Sequence, residues 1–300
     1  PGVTMSAPVF YPGMNGVPVQ LAAAPGTRPQ SCLFSIDLVK LEGEGEIRST
    51  SQAYVPFINH SGGRSWHHAH LTQFALGVID SSPFTVELEP PSIPISQSGE
   101  LKLRVRVKRQ NGFEGAIDIQ PDWYPNGISG GGAVTIAAGE TEAEYSLSAS
   151  SRATPGTWKM TMNATTTGGD AYSGVGRIRV SSNVVELTVG SPHVALAFKP
   201  CAVRRGQVAT VRCDVTQLQP FQQPARARLV GLPKGVVVVG GPYLLRPGDK
   251  TIVFMLRASP QALLGRYAQW RCELTFQQAG QSIRQLTGKG ILRVDPAVKD

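Results

Sequence analysis

Residues 101–108 constrain this chain more than any other stretch, because they alternate without a break. Leu101, Leu103, Val105 and Val107 fall on one side, and Lys102, Arg104, Arg106 and Lys108 on the other. Successive side chains of a strand point to opposite faces, so this is a strand with one dry and one wet face. The pattern recurs in Ala143, Tyr145, Leu147 and Ala149, and in Trp158, Met160, Met162 and Ala164. It returns in Ala209, Val211, Cys213 and Val215, and in Ala268, Trp270, Cys272, Leu274 and Phe276. Asn-Gly, Gly-Gly, Pro-Gly and Gly-Asp pairs lie between these runs and punctuate turns. No amphipathic helix longer than two turns is readable. Many short strands with frequent turn signals predict an all-β sandwich architecture.

Length and composition agree. A chain of 300 residues has room for two to three domains of roughly 100–150 residues. Hydrophobic residues make up 41%, enough for real cores, while charged residues make up only 17%. The 33 glycines and 23 prolines suit a turn-rich chain rather than a helical one. No stretch approaches the roughly 18 apolar residues of a membrane helix, so no membrane span is expected. The start, Pro1-Gly2-Val3, lacks the charged and apolar regions of a signal peptide. It does not read as a natural terminus, so that absence says nothing about export. The net charge of +8 is unevenly spread: residues 191–300 hold 16 Lys/Arg against 5 Asp/Glu. Basic character belongs to the last third alone.

An internal repeat supplies the second constraint. One copy reads Tyr124-Pro-Asn-Gly-Ile, then Val134-Thr-Ile-Ala-Ala-Gly-Glu-Thr, then Ala153-Thr-Pro-Gly-Thr-Trp. Another reads Leu232-Pro-Lys-Gly-Val, then Leu244-Leu-Arg-Pro-Gly-Asp-Lys-Thr, then Leu264-Gly-Arg-Tyr. A third opens the chain with Pro1-Gly-Val, Phe10-Tyr-Pro-Gly-Met and Val19-Gln-Leu-Ala-Ala-Ala. The anchors Gly2, Gly127 and Gly235 are spaced by 125 and 108 residues, one sandwich per repeat. Each glycine answers to a tight turn as the chain crosses between sheets.

This succession resembles the tandem immunoglobulin-like repeats of large exported bacterial proteins, especially planctomycete-type proteins that also carry pre-peptidase C-terminal domains. Pro83-Phe-Thr-Val-Glu-Leu, the strand at 101–107 and Gly112-Phe-Glu-Gly-Ala-Ile look like the start of such a repeat. The resemblance implies tandem immunoglobulin-like or fibronectin III-like β-sandwiches and export, and it supplies no catalytic residues. The first copy lacks its opening strands, so the chain reads as an excerpt. The expected organisation is a partial repeat with a connecting segment (1–81), a sandwich (82–190) and a basic sandwich (191–300).

Cys213 and Cys272 fall on the second and sixth strands of the last repeat, where immunoglobulin domains hold an inter-sheet disulfide. Tyr267 precedes Cys272 by five residues rather than the two of the usual tyrosine corner. The alternatives are two buried free thiols or a Cys201–Cys213 bridge. Cys32 has no evident partner.

His67, His68 and His70, with His60 nearby, form the one metal-type cluster. On a strand His68 and His70 share a face and can bind a transition metal. The competing reading is a polar connection anchored by buried Trp66 and Leu71. Arg204, Arg205, Arg226, Arg228 and Arg266 are the candidates for polyanion contact, such as cell-envelope glycans. Arginines gathered on one face would favour that role, and arginines scattered around the sandwich would favour a solvated surface.

Lys102, Arg104, Arg106 and Lys108 are expected to face Glu140, Glu142 and Glu144 across strands. Asp37, Glu42, Glu44 and Glu46 read as solvated carboxylates rather than a calcium loop. Asn59-His60-Ser61 and Asn163-Ala164-Thr165 match the glycosylation acceptor pattern. Esterase, zinc-protease, phosphate-loop and dinucleotide motifs are all missing, and no nucleic-acid motif occurs. The expected function is therefore a non-catalytic structural or adhesive spacer of an exported protein, without cofactor, whose partners are other domains of the same polypeptide. The alternatives are a carbohydrate- or polyanion-binding module and an accessory region of an exported peptidase or hydrolase. The expected location is extracellular, periplasmic or at the cell surface.

Overall fold

The computed structural model describes residues 2–7, 9–10, 14, 16–40, 45–59, 65–79, 81–110, 112–166, 178–278 and 280–297, with backbone alone at Ile58, Asn59, Ser65, Trp66 and Gln281. All regular structure among them is β-strand. The chain divides into two compact units, Pro1–Ser6 with Leu21–Ser82, and Ala7–Gln20 with Pro83–Asp300.

The smaller unit is made of two-stranded ribbons. β1 (Val3–Ser6) pairs β2 (Gln20–Ala23), and β3 (Gln30–Phe34) pairs β8 (Phe74–Val78). β4 (Asp37–Val39) pairs β5 (Arg48–Thr50), and β6 (Ala53–Asn59) pairs β7 (Ser65–Leu71). None of the described residues in Leu21–Ser82 is buried. Leu33 is 63%, Phe57 69% and Ile79 83% exposed. These strands have alternation and turns, but among the described residues of this unit none forms a buried layer over them.

The larger unit holds two stacked-sheet sandwiches. The first uses β9 (Phe84–Leu88), β10 (Ile95–Ser96), β11 (Gly99–Arg109), β12 (Ile117–Pro121), β13 (Ile128–Gly130), β14 (Val134–Ile136), β15 (Glu142–Ala149), β16 (Gly156–Met160), β17 (Met162–Thr166), β18 (Arg179–Ser181) and β19 (Val185–Gly190). β11 lies between β9 and β15, with β13 beyond. The opposing layer runs β14-β12-β17-β18, and β16, a step before β17 in the chain, pairs β19. The alternating residues of β11 and β15 point as the sequence predicts, with Leu103, Val105, Tyr145 and Leu147 buried. Over 158–164 the expected single alternating strand is split between two sheets at Thr161, and Thr161 and Asn163 are buried along with Met160 and Met162.

The second sandwich uses β20 (Val194–Phe198), β21 (Cys201–Arg204), β22 (Val208–Gln217), β23 (Ala225–Val230), β24 (Val236–Val239), β25 (Tyr243–Leu245), β26 (Thr251–Ala258), β27 (Gly265–Tyr267), β28 (Arg271–Gln278), β29 (Gln281–Thr287) and β30 (Leu292–Asp295). One layer is β20-β22-β26-β24. The other contains β29-β28-β23-β25, and its outer part β21-β30-β27 is set off by a break in both chain segments. The expected alternation from Ala268 therefore begins only at Trp270, and Ala268 is exposed. At the break the Trp270 ring lies on Gly290, where a Cβ would stand 1.7 Å from it. Phe198 meets Trp270 at 4.5 Å, and Tyr243 meets Phe254 at 4.8 Å, tying the layers together.

The repeat anchors share their local geometry. Gly127 and Gly235 have φ of 79° and 86°, and a Cβ would come within 2.5 Å of Ala153 Cα and 2.7 Å of Ala262 Cα respectively. Only glycine fits that backbone and that space. The carbonyl of Gly127 accepts from Ser150 N, that of Gly235 from Ser259 N, each at 2.8 Å. Gly2, at φ 80°, accepts from Ala24 N at 2.8 Å in the same way. A tight turn follows each residue that donates to the glycine: Ala153 N donates to Ser150 O, Ala262 N to Ser259 O and Thr27 N to Ala24 O. Residues 7–20, which the sequence groups with the first segment, instead belong to the larger unit. There Pro18 is buried and Met14 packs on the core.

Candidate functional site

The feature that distinguishes the larger unit is a seam where one sandwich's sheet continues into the other's. The strand order β13-β15-β11-β29-β28-β23-β25 crosses both. Gly99 faces Gln285 and Glu100 faces Arg284 in antiparallel register, and Leu286 N donates to Ser98 O at 2.7 Å. Glycine is required here by close approach. A Cβ on Gly99 would lie 2.7 Å from Ser96 O and 3.0 Å from Arg284 O. Ser98 turns the chain into β11 with φ 59°, the one non-glycine positive φ among the described residues.

A row of charges crosses the seam at right angles to the strands. Arg228 on β23 pairs Glu273 on β28 at 2.8 Å; Arg284 on β29 pairs Glu273 and reaches Glu100 on β11 at 2.7 Å. Glu273 points away from the core yet is only 6% exposed, because the two guanidinium groups cover it. Hydrogen bonds to Glu273 and then Glu100 raise the pKa of Arg284. The row continues through Lys102–Glu144 at 2.5 Å and Arg106–Glu142 at 3.6 Å. Glu89 adds a contact to Arg106 at 2.5 Å. The hydrogen bond from Lys102 lowers the Glu144 carboxyl. Two of the three expected glutamates thus meet the basic row. Glu140 contributes its backbone carbonyl to Arg109 Nε. Exposed pairs of this kind are screened, worth about 0–1 kcal/mol each, so they fix register more than they add stability. The groove beside the row, about 570 Å³, is lined by Glu89, Glu100, Lys102, Arg104, Glu144 and Arg284 among others. Its charges satisfy one another.

The segment joining the sandwiches is held along its length. Gln97 N donates to Gly190 O, and Leu218 N and Gln219 N to His193 O. Gln285, 1% exposed, accepts from His193 N at 2.9 Å and donates to Val194 O at 2.6 Å. His193 is buried against Phe276, and its Nδ1 has no hydrogen-bond partner. Burial lowers its pKa.

The other candidates fall elsewhere. Cys213 on β22 and Cys272 on β28 are buried on the two opposed sheets, close enough for one charge to act on the other. Both are free thiols, so the bridge weighed from the sequence is not formed in the structure. Burial pushes each up to about 12, which leaves a neutral thiol and a poor nucleophile. Arg204 lies on β21 and Arg266 on β27, while Arg226 and Arg228 share β23. Arg205 donates to Ala262 O, and Arg228 is engaged with Glu273. Arg212 and Arg257 lie on the opposite layer, so the basic residues spread over both faces. His68 and His70 share a face of β7 as expected, and His67 lies on the other; His60 is outside the described residues. Leu71, expected as a buried anchor, is 46% exposed. Asp37 and Glu46 both pair Arg48 rather than gather as an ion site. Asn163 is buried and bound to Asp122, which closes that glycosylation pattern. Among the described residues no group of three or more His, Cys, Asp or Glu is placed to hold a metal ion. Those residues include no helix long and apolar enough to cross a membrane.

The chain matches no family model and no curated protein sequence. Solved structures show distant likeness. The Escherichia coli adhesin FdeC is 16% identical, covering 75% of this chain and 67% of its own, at a TM-score of 0.24. The fibronectin(III)-like modules of Clostridium thermocellum CbhA are 10% identical, covering 71% and 95%, at 0.24. A Porphyromonas gingivalis W83 protein of unknown function is 14% identical, covering 71% and 100%, at 0.26. Likeness this remote transfers no role. The fold stands on the strand pairing: an all-β chain of immunoglobulin-like or fibronectin III-like sandwiches.

The seam leaves little mark in the sequence. Gly99 opens the alternating strand within an ordinary Ser-Gly pair, and Glu273 reads as an ordinary outward carboxylate. The available signal is that Glu273 is the sole acidic residue in a strand flanked by arginines.

Proposed function

We propose that the residues from Pro83 onward are a stiff, non-catalytic pair of tandem immunoglobulin-like modules that spaces and orients other domains of an exported bacterial protein. The continuous sheet through Gly99–Gln285 and Glu100–Arg284 carries this reading. A covalent linker alone leaves two domains free to rotate, whereas shared backbone hydrogen bonds fix their angle. Pairing of Gln285 with the His193–Val194 backbone removes the slack such a linker would need. The common turn at Gly2, Gly127 and Gly235 supports the tandem-repeat reading. The resemblance to exported repeats supports a location outside the cytoplasm. Arginines spread over both faces give a polyanion role less support.

The test is a distance measurement between spin labels at Glu140→Cys and Lys234→Cys in a background with Cys32→Ser and Cys201→Ser, since both of those thiols are free and not buried. The proposal requires one narrow distribution that broadens in Gly99→Val, where the added side chain wedges the seam. A broad distribution in the parent chain would end the spacer reading.

A further inference from the structure

In the ribbon unit, β6 and β7 present a compact group of ring side chains to solvent. His68 and His70 are two residues apart on β7, about 6.6–6.8 Å along the strand, and point to the same side. Their ring centroids are 5.2 Å apart, edge to face. Tyr54, directly opposite His70 in register, touches both rings, at 4.7 Å from His68 and 5.7 Å from His70. Both histidines are exposed, and among the described residues no carboxylate is ion-paired with either. Pro56, opposite His68, limits how the adjacent strand can move there.

We infer that His68 and His70 form a two-ligand site for a divalent transition-metal ion, with Tyr54 as the residue that positions the rings. Imidazole nitrogens bind such ions at about 2.0–2.1 Å. Two rings 5.2 Å apart reach one ion by turning about their terminal torsions, whose wells are broad. Water completes the coordination shell. Nitrogen ligands of this type favour Cu2+ over Ni2+ and Zn2+. Tyr54 stacks on the ligand pair and limits the orientations it loses on binding. No carboxylate contributes, so Ca2+ and Mg2+, which want oxygen ligands, are not bound.

The test is titration of the full chain with CuCl2 and ZnCl2 in a non-coordinating buffer, in a background with Cys32→Ser and Cys201→Ser that removes the two free thiols that are not buried. One equivalent of Cu2+ is expected to broaden the ring signals of His68 and His70 first, while buried His193 stays sharp. His68→Gln and His70→Gln each turn a chelate into a single ligand and weaken binding about a hundredfold. Tyr54→Leu weakens it less and keeps the one-to-one stoichiometry. An unchanged backbone amide spectrum shows that each variant keeps its fold. Binding that survives either histidine substitution at full strength, or broadening centred on His60, His67 or the chain's amino terminus, overturns the inference.

Discussion

The ribbon unit and the sandwich pair are built from the same strand grammar, and they differ in whether anything covers the strands. β3 and β8 align Cys32 with Leu76 and Phe34 with Phe74, an apolar row as good as many in the larger unit. Yet every described residue from Leu21 to Ser82 keeps contact with solvent, while Trp270, Phe254 and Tyr145 are essentially dry. Alternation makes a strand, and only a second layer makes a core. A two-stranded ribbon alone is marginal in water. The larger unit adds something further, because its layers also run on from one sandwich into the next.

The sharpest way to break the comparison is through the cysteines. Cys32 sits exposed in the ribbon unit, and Cys213 and Cys272 are buried free thiols. At neutral pH a thiol reagent should consume Cys32 at once and reach the buried pair about a thousandfold more slowly or worse, since they react only after opening of the fold. Comparable rates would mean the core is not closed. In the second sandwich, Trp270→Ala should cost about 3–5 kcal/mol by denaturant unfolding. Phe57→Ala, at an exposed ribbon position, should stay within about 0.5 kcal/mol.

The anchor glycines refine the contrast. At Gly127 and Gly235 an added Cβ meets backbone, but at Gly2 it meets the Thr27 side chain at 2.8 Å. Alanine at Gly127 or Gly235 should cost about 1–3 kcal/mol and be felt less at Gly2, where Thr27 can turn away. The smallest effect is with pH. His193 is held neutral by burial, so its folded pKa lies below its unfolded one. The unfolded chain then binds the proton more readily, and stability present above the ordinary histidine value of about 6.5 declines as pH falls toward the lowered one. His193→Phe should flatten that acid slope in a melting series, with no matching change in the ribbon unit.

The fold was largely legible because hydrophobic alternation is a local signal. The rows at 101–108 and 143–149, and the turns at Gly127 and Gly235, appear where the residues say they should. The seam was not legible, because it depends on which strand edges meet. Gly99 is needed both because Ser96 O lies 2.7 Å from where its Cβ would stand and because Arg284 O, from the other sandwich, passes within 3.0 Å of it. Glu273 is covered only because Arg228 and Arg284 arrive from strands some 45 and 11 residues away. The same holds for the ribbon unit: nothing in its alternation tells whether a second layer covers it.

Amide hydrogen exchange at the seam tests the central claim most directly. Leu286 N donates to Ser98 O across the two sandwiches. If they form one piece, that amide is protected to the same degree as those of β26 in the core, and Gly99→Val removes the protection selectively. If Leu286 exchanges as fast as the amides of the ribbon β3, the shared sheet is not a stable element and the stiff-spacer account is wrong.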